Sequence, residues 1–397
     1  CKDARSVVIA DLEAAGLFKE EEKITHPVGH CYRCHTVVEP YLSEQWFVKM
    51  QPLADKALKA WRDGEIVFYP KKWENTYCRW LEGIRDWCIS RQLWWGHRIP
   101  AYFLPTAEGE EEKFVVAVNE AKALCLARQI PGYEYVNAED LRRDEDALDT
   151  WFSSWLWPVS LFNGINNPGN EEINYYYPTA DLVTGPDIIF FWVARMIMAG
   201  EEYMKDVPFR NVYFTGIVRD KLGRKMSKSL GNSPDPLELI DKYGADGVRM
   251  GMLLSAPAGN DILFDDQLCQ QGAAFCNKIW NAFRLVKGWE VSDSLEQPAE
   301  NRKTIAWMDA TIKTAVAEIN DLYSKYRLSE ALMCAFKLFT DEFSGWYLEI
   351  IKPAYQKPID KATYEKTLEF FEVLMKVIHP FMPFITEELW QAIEDRK

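Results

Sequence analysis

The segment with the clearest chemistry is a cationic loop at residues 220–232. Its sequence is DKLGRKMSKSLGN, in which four cations lie within eight residues beside small side chains and two glycines. Ammonium groups on such a loop can approach phosphate oxygens and stabilise the charge that develops on a polyphosphate leaving group. A solvated basic turn has the same composition, so both interpretations stand at this point.

Two strands and a helix are predicted directly before this loop. Residues 180–185 and 211–218 are apolar runs typical of buried strands, and residues 188–199 form an apolar helical run between them. Pro186 and Asp187 precede the helix, and proline is favourable at a first helical position. Strand, helix and strand within about 40 residues predict a βαβ unit of a parallel sheet.

The chain divides into three regions of different texture. Residues 1–50 hold a short helical pattern and a Cys/His cluster, residues 51–264 mix strand-like runs with helices, and residues 265–397 show helical periodicity almost throughout. We therefore predict an α/β region followed by an all-α helical bundle. The start at Cys1 without methionine, and an end just after a helical stretch, predict a piece of a longer protein.

Composition excludes several classes of protein. The 397 residues are 48% hydrophobic and 27% charged, as in globular proteins, and the net charge is −14. This charge argues against binding nucleic acid or anionic membranes by bulk attraction, while a local cationic site stays compatible with it. Because no apolar run approaches the roughly 18 residues that span a bilayer, we expect no membrane partner. Nine scattered cysteines indicate a reducing compartment, so we expect a cytoplasmic protein.

The Cys/His cluster raises the question of a metal. Cys31 and Cys34 form a C-x-x-C pair flanked by His30 and His35, and these are ligand types that zinc prefers. One such pair supplies only two of the four ligands of a structural zinc site. A loop that binds no metal is therefore the alternative.

The KMSKS sequence of the loop resembles the signature of class I aminoacyl-tRNA synthetases. Further blocks resemble the valine-specific members of that family: DWCISRQ (86–92), WWGHRIP (94–100), LDTWFSS (148–154) and TGPDIIFFWVARM (184–196). The resemblance implies the second half of a class I Rossmann-like, parallel-sheet catalytic domain, followed by an anticodon-binding helical bundle truncated at its C-terminus. In the family an H-x-G-H signature and an editing domain lie upstream. Since neither is found here, we expect this chain alone to be nearly inactive.

The resemblance also implies an ATP site on the loop. Lys225 and Lys228 would neutralise the phosphates of ATP, which enters with Mg²⁺, and those of the departing pyrophosphate. Asp187 would accept hydrogen bonds from ribose hydroxyls, and Gly185 would let the backbone approach the nucleoside. The other loop residues implied in ATP binding are Met226, Ser227 and Ser229.

The amino-acid pocket implied by the family has Trp151, Ile188 and Trp192 as its walls. Ile188 and Trp192 lie four residues apart on one predicted helix, so they can share a face. Core packing is the alternative for both.

The partners implied are valine, ATP and tRNA(Val), bound by a monomeric parent enzyme. Lys278, Asn281 and Arg284 are spaced to lie near one side of a helix and could contact phosphates of the tRNA. The polar face of a bundle helix is an equally good explanation of these three. Another class I synthetase, such as the isoleucyl enzyme, and a stand-alone tRNA-binding module are the competing functions.

Overall fold

The computed structural model describes residues 2–31, 34–38, 42–107, 109–227, 230–256 and 259–394. The chain divides into a small unit, Cys1–Trp46, and a large unit, Phe47–Lys397. Among the described residues, no helix has the length and apolar character that a membrane span requires.

In the small unit, the described residues form the helix α1 (Lys2–Ala14). Farther along, an isolated antiparallel bridge joins His30 to Val37. Near this bridge the amide of Cys31 donates to the carbonyl of Thr36, and the amide of His35 donates to the carbonyl of Cys31, both at 2.8 Å.

The large unit holds all the other elements. Its strands are β1 (Phe47–Val48), β2 (Val67–Tyr69), β3 (Trp87–Cys88), β4 (Ser90–Arg91), β5 (Ala101–Phe103), β6 (Phe114–Val116), β7 (Arg142–Arg143), β8 (Ala147–Leu148), β9 (Thr179–Thr184), β10 (Phe209–Phe214), β11 (Val218–Arg219), β12 (Ile262–Leu263), β13 (Val291–Ser292) and β14 (Ile359–Asp360). Its α-helices are α2 (Gln51–Arg62), α3 (Lys72–Glu82), α4 (Glu120–Ala127), α5 (Thr150–Ser154), α6 (Trp157–Ser160), α7 (Glu171–Tyr176), α8 (Arg195–Ala199), α9 (Pro236–Tyr243), α10 (Ala245–Leu254), α11 (Asp266–Lys287), α12 (Ala299–Ser324), α13 (Leu328–Lys337), α14 (Leu348–Ile351), α15 (Lys361–Ile378) and α16 (Pro383–Ile393).

Short helices of other types interrupt these elements. Those that lie wholly within the described ranges are the 3₁₀-helices Ala138–Asp140 and Pro186–Ile188 and the π-helices Ile189–Ala194, Gly200–Met204 and Leu338–Tyr347.

A three-stranded parallel sheet organises the α/β region, with β10 between β2 and β9. Val212 lies opposite Phe68 on one side and Leu182 on the other, and all three side chains are buried on one face. The ring of Tyr77 in α3 packs edge-on against Phe68 at 4.9 Å between centroids. Alternating apolar residues thus bury one face of the sheet against helices.

The predicted βαβ unit is present, with two differences in detail. The connecting helix starts as a 3₁₀ turn, is π-helical over Ile189–Ala194 and becomes α-helical only over Arg195–Ala199. The second strand ends at Phe214 instead of continuing to residue 218. Just beyond the strand, Gly216 lies against Asn260, and a Cβ at this glycine would stand 1.8 Å from the carbonyl oxygen of Asn260.

The helical bundle has one continuous apolar core. Rings of Phe339, Phe343 and Phe371 meet with centroids 5.4 to 5.9 Å apart at its centre, and all three are fully buried. The expectation of an α/β region with a parallel sheet followed by a helical bundle is confirmed.

Among the contacts that join the α/β region to the bundle, two involve carboxylates. The buried carboxylate of Asp246 in α10 accepts hydrogen bonds from the backbone amides of Phe384 (3.3 Å) and Ile385 (2.6 Å), at the first turn of α16. Tyr326, in the turn between α12 and α13, stacks on Tyr69 at 4.1 Å between ring centroids, and its hydroxyl donates to Asp181 in β9.

Candidate functional site

A hydrogen bond between the side chains of Asp220 and Asn232 joins the two ends of the cationic loop. The carboxylate of Asp220 accepts hydrogen bonds from the backbone amides of Leu222 (3.0 Å) and Arg224 (2.8 Å) and from the side-chain amide of Asn232 (2.9 Å). These donors, the Asn232 amide above all, lower the pKa of Asp220 to about 2. The carboxylate therefore holds both ends of the loop together.

Asn232 also holds the middle of the loop. Its Oδ1 accepts a hydrogen bond from the backbone amide of Ser227 (2.9 Å), and its Nδ2 donates to the carbonyl of Lys225 (3.3 Å). Lys225 additionally forms an isolated antiparallel bridge with Arg219 at the end of β11. The backbone around Lys225 is thus fixed by contacts from two directions, while the lysine side chain is free to change partners.

Lys225 reaches the carboxyl end of the parallel sheet. Its Nζ lies 3.5 Å from Oδ2 of Asp187, and the two side chains are 72% and 57% exposed. Asp187 belongs to the 3₁₀ turn Pro186–Ile188 that follows β9, and a Cβ built on the neighbouring Gly185 would meet nothing within 4 Å. This is the position at which open α/β sheets bind nucleotides.

The other predicted loop residues divide into two groups. Met226 and Ser227 are half-buried beside Lys225. Lys228 and Ser229 lie outside the described residues.

The predicted amino-acid pocket lies along the helix that follows Asp187. Trp151, Ile188 and Trp192 are all half-buried. Trp151 stacks on Phe191 with ring centroids 6.0 Å apart, and Nε1 of Trp192 donates to the carbonyl of Ser154 at 3.1 Å. The helix α5, which carries Trp151, therefore contacts the Ile189–Ala194 π-helix through two aromatic side chains. Single π-helical turns often occur at functional sites.

An ion pair that the sequence did not single out positions this pocket. Asp149 is buried, pairs with Arg91, and caps α5 by accepting a hydrogen bond from the amide of Trp151 at 2.8 Å. Arg91 further donates to the carbonyls of Cys88 (3.0 Å) and Ser90 (2.7 Å). An aspartate directly before a helix signals a cap, but the partner 58 residues away carries no local signal.

The predicted tRNA-contacting residues all lie on the exposed side of α11. Nζ of Lys278 donates to the carbonyl of Thr340 at 3.2 Å. Lys278 and Asn281 line a shallow cavity of about 420 Å³ together with Ser344 and Glu349, whereas Arg284 lies outside it. The structure thus brings two of the three residues into one cavity.

Cys31 and Cys34 lie in the small unit. The thiol of Cys34 is exposed and donates to Oγ1 of Thr36 at 3.3 Å, and hydrogen bonding with Thr36 lowers its pKa to about 7. Within the described part of the chain, no group of three or more His, Cys, Asp or Glu side chains is arranged to hold a metal ion.

Comparisons with known proteins agree with this geometry. Residues 2–265 match the family described as tRNA synthetases class I (I, L, M and V), and residues 306–397 match the anticodon-binding domain of tRNA ligases. The chain is 68% identical over 395 residues to the valine–tRNA ligase of Phocaeicola vulgatus and 65% identical over 396 residues to that of Bacteroides fragilis. Each alignment covers 100% of this chain but only 44% and 45% of the relative, so the chain spans less than half of these proteins.

Solved structures share the fold at lower identity. Methionyl-tRNA synthetase of Mycobacterium tuberculosis in complex with methionyl-adenylate superposes with a TM-score of 0.64 at 18% identity, over 92% of this chain and 66% of that one. The LeuRS–tRNA–LeuAMS complex of Agrobacterium radiobacter K84 superposes with a TM-score of 0.60 at 21% identity, over 79% of this chain and 42% of that one. The family match covers the cationic loop and the parallel sheet, and the anticodon-binding match covers most of the helical region. The chain therefore belongs to the class I tRNA synthetase family of the I, L, M and V type.

Proposed function

We propose that this chain is part of a valine–tRNA ligase, which activates valine with ATP and transfers it to tRNA(Val). The observation that carries the proposal is the approach of Lys225 to Asp187, because it sets a loop cation beside a carboxylate at the carboxyl end of a parallel strand. The identity of 68% to a valine–tRNA ligase along the whole chain supports valine as the substrate.

In the activation step, ATP enters as its Mg²⁺ complex and lies over the carboxyl end of β9. Asp187 accepts hydrogen bonds from the ribose hydroxyls, which removes it as the partner of Lys225. The valine carboxylate attacks the α-phosphorus, and the bond to the pyrophosphate oxygen breaks. Lys225 and Lys228 stabilise the charge on the departing pyrophosphate, while Gly185, Met226, Ser227 and Ser229 complete the nucleotide site.

The valine side chain lies between Trp151, Ile188 and Trp192. The hydrogen bond from Trp192 to the carbonyl of Ser154 keeps the indole oriented without placing a polar atom in the pocket. Apolar walls of this size suit a branched aliphatic side chain.

The helical region binds tRNA(Val) through a polar strip on α11 that includes the cations Lys278 and Arg284 and the neutral Asn281. Lys278 exchanges its bond to the carbonyl of Thr340 for a phosphate oxygen. We place the domain boundaries after residues 50 and 264, and we expect the whole enzyme to be a cytoplasmic monomer.

The test is valine-dependent ATP–pyrophosphate exchange by the full-length protein that contains this chain. Lys225→Ala should lower kcat about 100-fold with little change in KM for valine, because the lysine acts on the leaving group. Lys221→Ala is the matched control from the same loop, since Nζ of Lys221 lies 3.2 Å from Asp265 instead of Asp187.

Three results bear on the proposal. Exchange that responds to valine and not to isoleucine supports it, as does near-zero exchange by the 397-residue chain alone. Unchanged turnover of Lys225→Ala would remove the role assigned to the loop, and exchange that depends on another amino acid would remove valine as the substrate.

A further inference from the structure

Strand β12 pairs with β11, the strand from which the cationic loop departs. The two strands run in parallel. The amide of Ile262 donates to the carbonyl of Ile217 at 2.9 Å, and the amide of Phe264 donates to the carbonyl of Arg219 at the same distance. Because the loop begins directly after Arg219, β12 supports the residues that lead into it.

An ion pair joins the same two segments. The guanidinium of Arg219 donates to the carboxylate of Asp261, and the two side chains are 31% and 40% exposed. The other carboxylate oxygen of Asp261 accepts a hydrogen bond from the amide of Ile217 at 3.4 Å. The hydrogen bond from Arg219 is the main cause that lowers the pKa of Asp261, so this carboxylate is ionised at neutral pH. Asp261 therefore holds both a side chain and a backbone group of the residues before the loop.

Arg219 in turn contacts the loop. An isolated antiparallel bridge joins Arg219 to Lys225, and the amide of Asp220 donates to the carbonyl of Arg224 at 3.0 Å between them. From this backbone position, Nζ of Lys225 lies 3.5 Å from the carboxylate of Asp187. The place of Arg219 therefore sets the place of Lys225 at the carboxyl end of β9.

The residues just before β12 are attached to the segment that follows β2. Nζ of Lys72, at the start of α3, donates to the carbonyl of Gly259 at 2.9 Å and to Oδ1 of Asn260 at 3.0 Å. Gly259 has a φ of +72°, and a Cβ at this position would stand 2.8 Å from the ring of Pro70. Glycine permits both this backbone conformation and the close approach. Asp261 thus follows residues that are fixed to the α/β region, while its own side chain holds the strand before the loop.

The location of the Arg219–Asp261 pair gives it more influence on activity than on stability. An ion pair between partly exposed side chains stabilises a fold by only about 0.2–1 kcal/mol. Near reacting atoms, by contrast, a displacement of about 1 Å can lower a rate about 100-fold. A pair at the base of the loop therefore has its main effect on where the loop lysine lies.

We propose that Asp261 is a positioning residue for the activation step, which holds β11 through Arg219 and so sets the distance of Lys225 from the phosphates of ATP. The inference rests on the proposed function, in which Lys225 acts on the departing pyrophosphate. Asp261 acts through Arg219 and touches no reacting atom. Lys72 has a weaker role of the same kind, because it holds the two residues that precede Asp261.

The test combines two measurements on the full-length protein that contains this chain. The first is valine-dependent ATP–pyrophosphate exchange, which gives kcat and the KM for valine. The second is the initial rate of trypsin cleavage within residues 220–232 without ligands, followed by mass spectrometry, because proteolysis reports how often a segment leaves its folded position. Substitutions of Asp261 suit both measurements, since they leave every lysine and arginine of the loop in place.

Asp261→Ala should lower kcat about 5- to 10-fold, leave the KM for valine within about 2-fold, and speed cleavage of the loop at least about 3-fold. Asp261→Asn keeps an acceptor for Arg219 and should recover part of both losses. Glu112→Ala is the matched control, because it removes the partner of Arg142 in an ion pair whose side chains are also partly exposed, 60% and 46%. It should change neither measurement.

Two further variants examine the contacts on either side of Asp261. Arg219→Gln should lower kcat as much as Asp261→Ala, and the double variant should be no worse than the poorer single one, because both substitutions remove the same contact. Lys72→Met should lower kcat about 2- to 3-fold by releasing the residues before Asp261.

The proposal requires both measurements to change in Asp261→Ala. Unchanged kcat would remove the role of Asp261 in activation. A lower kcat with unchanged loop cleavage, or with cleavage that accelerates equally throughout the protein, would show that Asp261 does not act by positioning the loop. If the wild-type protein shows no valine-dependent exchange, the proposed function fails, whereas the cleavage rates still decide whether Asp261 holds the loop.

Discussion

The cationic loop is held in place by polar hydrogen bonds, whereas the aromatic core of the bundle is held together by apolar packing. The loop is fixed by hydrogen bonds to Asp220 and Asn232, and the lysine it carries toward Asp187 is mostly exposed. At the centre of the bundle, Phe339 and Phe371 are fully buried and contact other rings on several sides. Polar networks leave charges available to a ligand, whereas apolar packing supplies stability. We therefore expect changes in the core to alter the free energy of unfolding, and changes in the loop to alter activity.

The largest effect on stability is expected from Phe371→Ala. Its ring lies 5.4 to 5.9 Å from those of Phe283, Phe339 and Phe343, so truncation leaves a cavity that the helices cannot fill. We expect a loss of about 3–5 kcal/mol in the free energy of unfolding, measured with urea. Phe384→Ala, at a ring that is 65% exposed, is the matched control and should cost under about 0.5 kcal/mol. Equal losses in the two variants would show that the bundle is not stabilised by this core.

Asp149→Ala tests whether a polar contact can serve both stability and the site. The variant removes the partner of Arg91 and the cap of α5, and we expect a loss of about 1–2 kcal/mol together with a higher KM for valine. Asp149→Asn keeps the cap but not the charge, so it should recover part of the stability. If KM stays unchanged while stability falls, Asp149 supports the fold alone.

Tyr326→Phe examines the contact between the two regions. The variant keeps the stacking on Tyr69 and removes the hydrogen bond to Asp181, which should cost about 0.5–1 kcal/mol in urea unfolding. Tyr355→Phe, at a side chain that is 89% exposed, is the control and should change nothing measurable. A Tyr326→Phe protein as stable as the wild type would show that the hydrogen bond to Asp181 does not stabilise the contact between the regions.

The smallest effect is a pH dependence that belongs to the loop. In the folded protein the pKa of Asp220 is lowered to about 2, below the ordinary aspartate value of about 3.9. Its stabilising contribution is therefore complete above about pH 4 and is lost as the pH falls towards about 2. The unfolding free energy of the wild type should fall more steeply over this interval than that of Asp220→Asn. Identical slopes would contradict the role given to this carboxylate.

Local patterns in the sequence determined the chemistry of the loop, the βαβ unit and the helical bundle. Clustered cations, apolar runs and helical periodicity act over neighbouring residues, so they are readable without a structure. The assignment of Lys225 and Asp187 to one site came from the family resemblance, and the structure then brought the two side chains to 3.5 Å.

Only the tertiary structure decided which polar groups meet. Asn232 closes the loop on Asp220, twelve residues away, and Arg91 pairs with Asp149, 58 residues away. The helix predicted after Asp187 is π-helical over Ile189–Ala194 and α-helical over Arg195–Ala199. Arg195 is buried on Trp87, and its Nε and Nη1 have no hydrogen-bond partner among the described residues. Contacts between distant residues depend on how whole elements pack, and the local pattern around each residue does not contain that information.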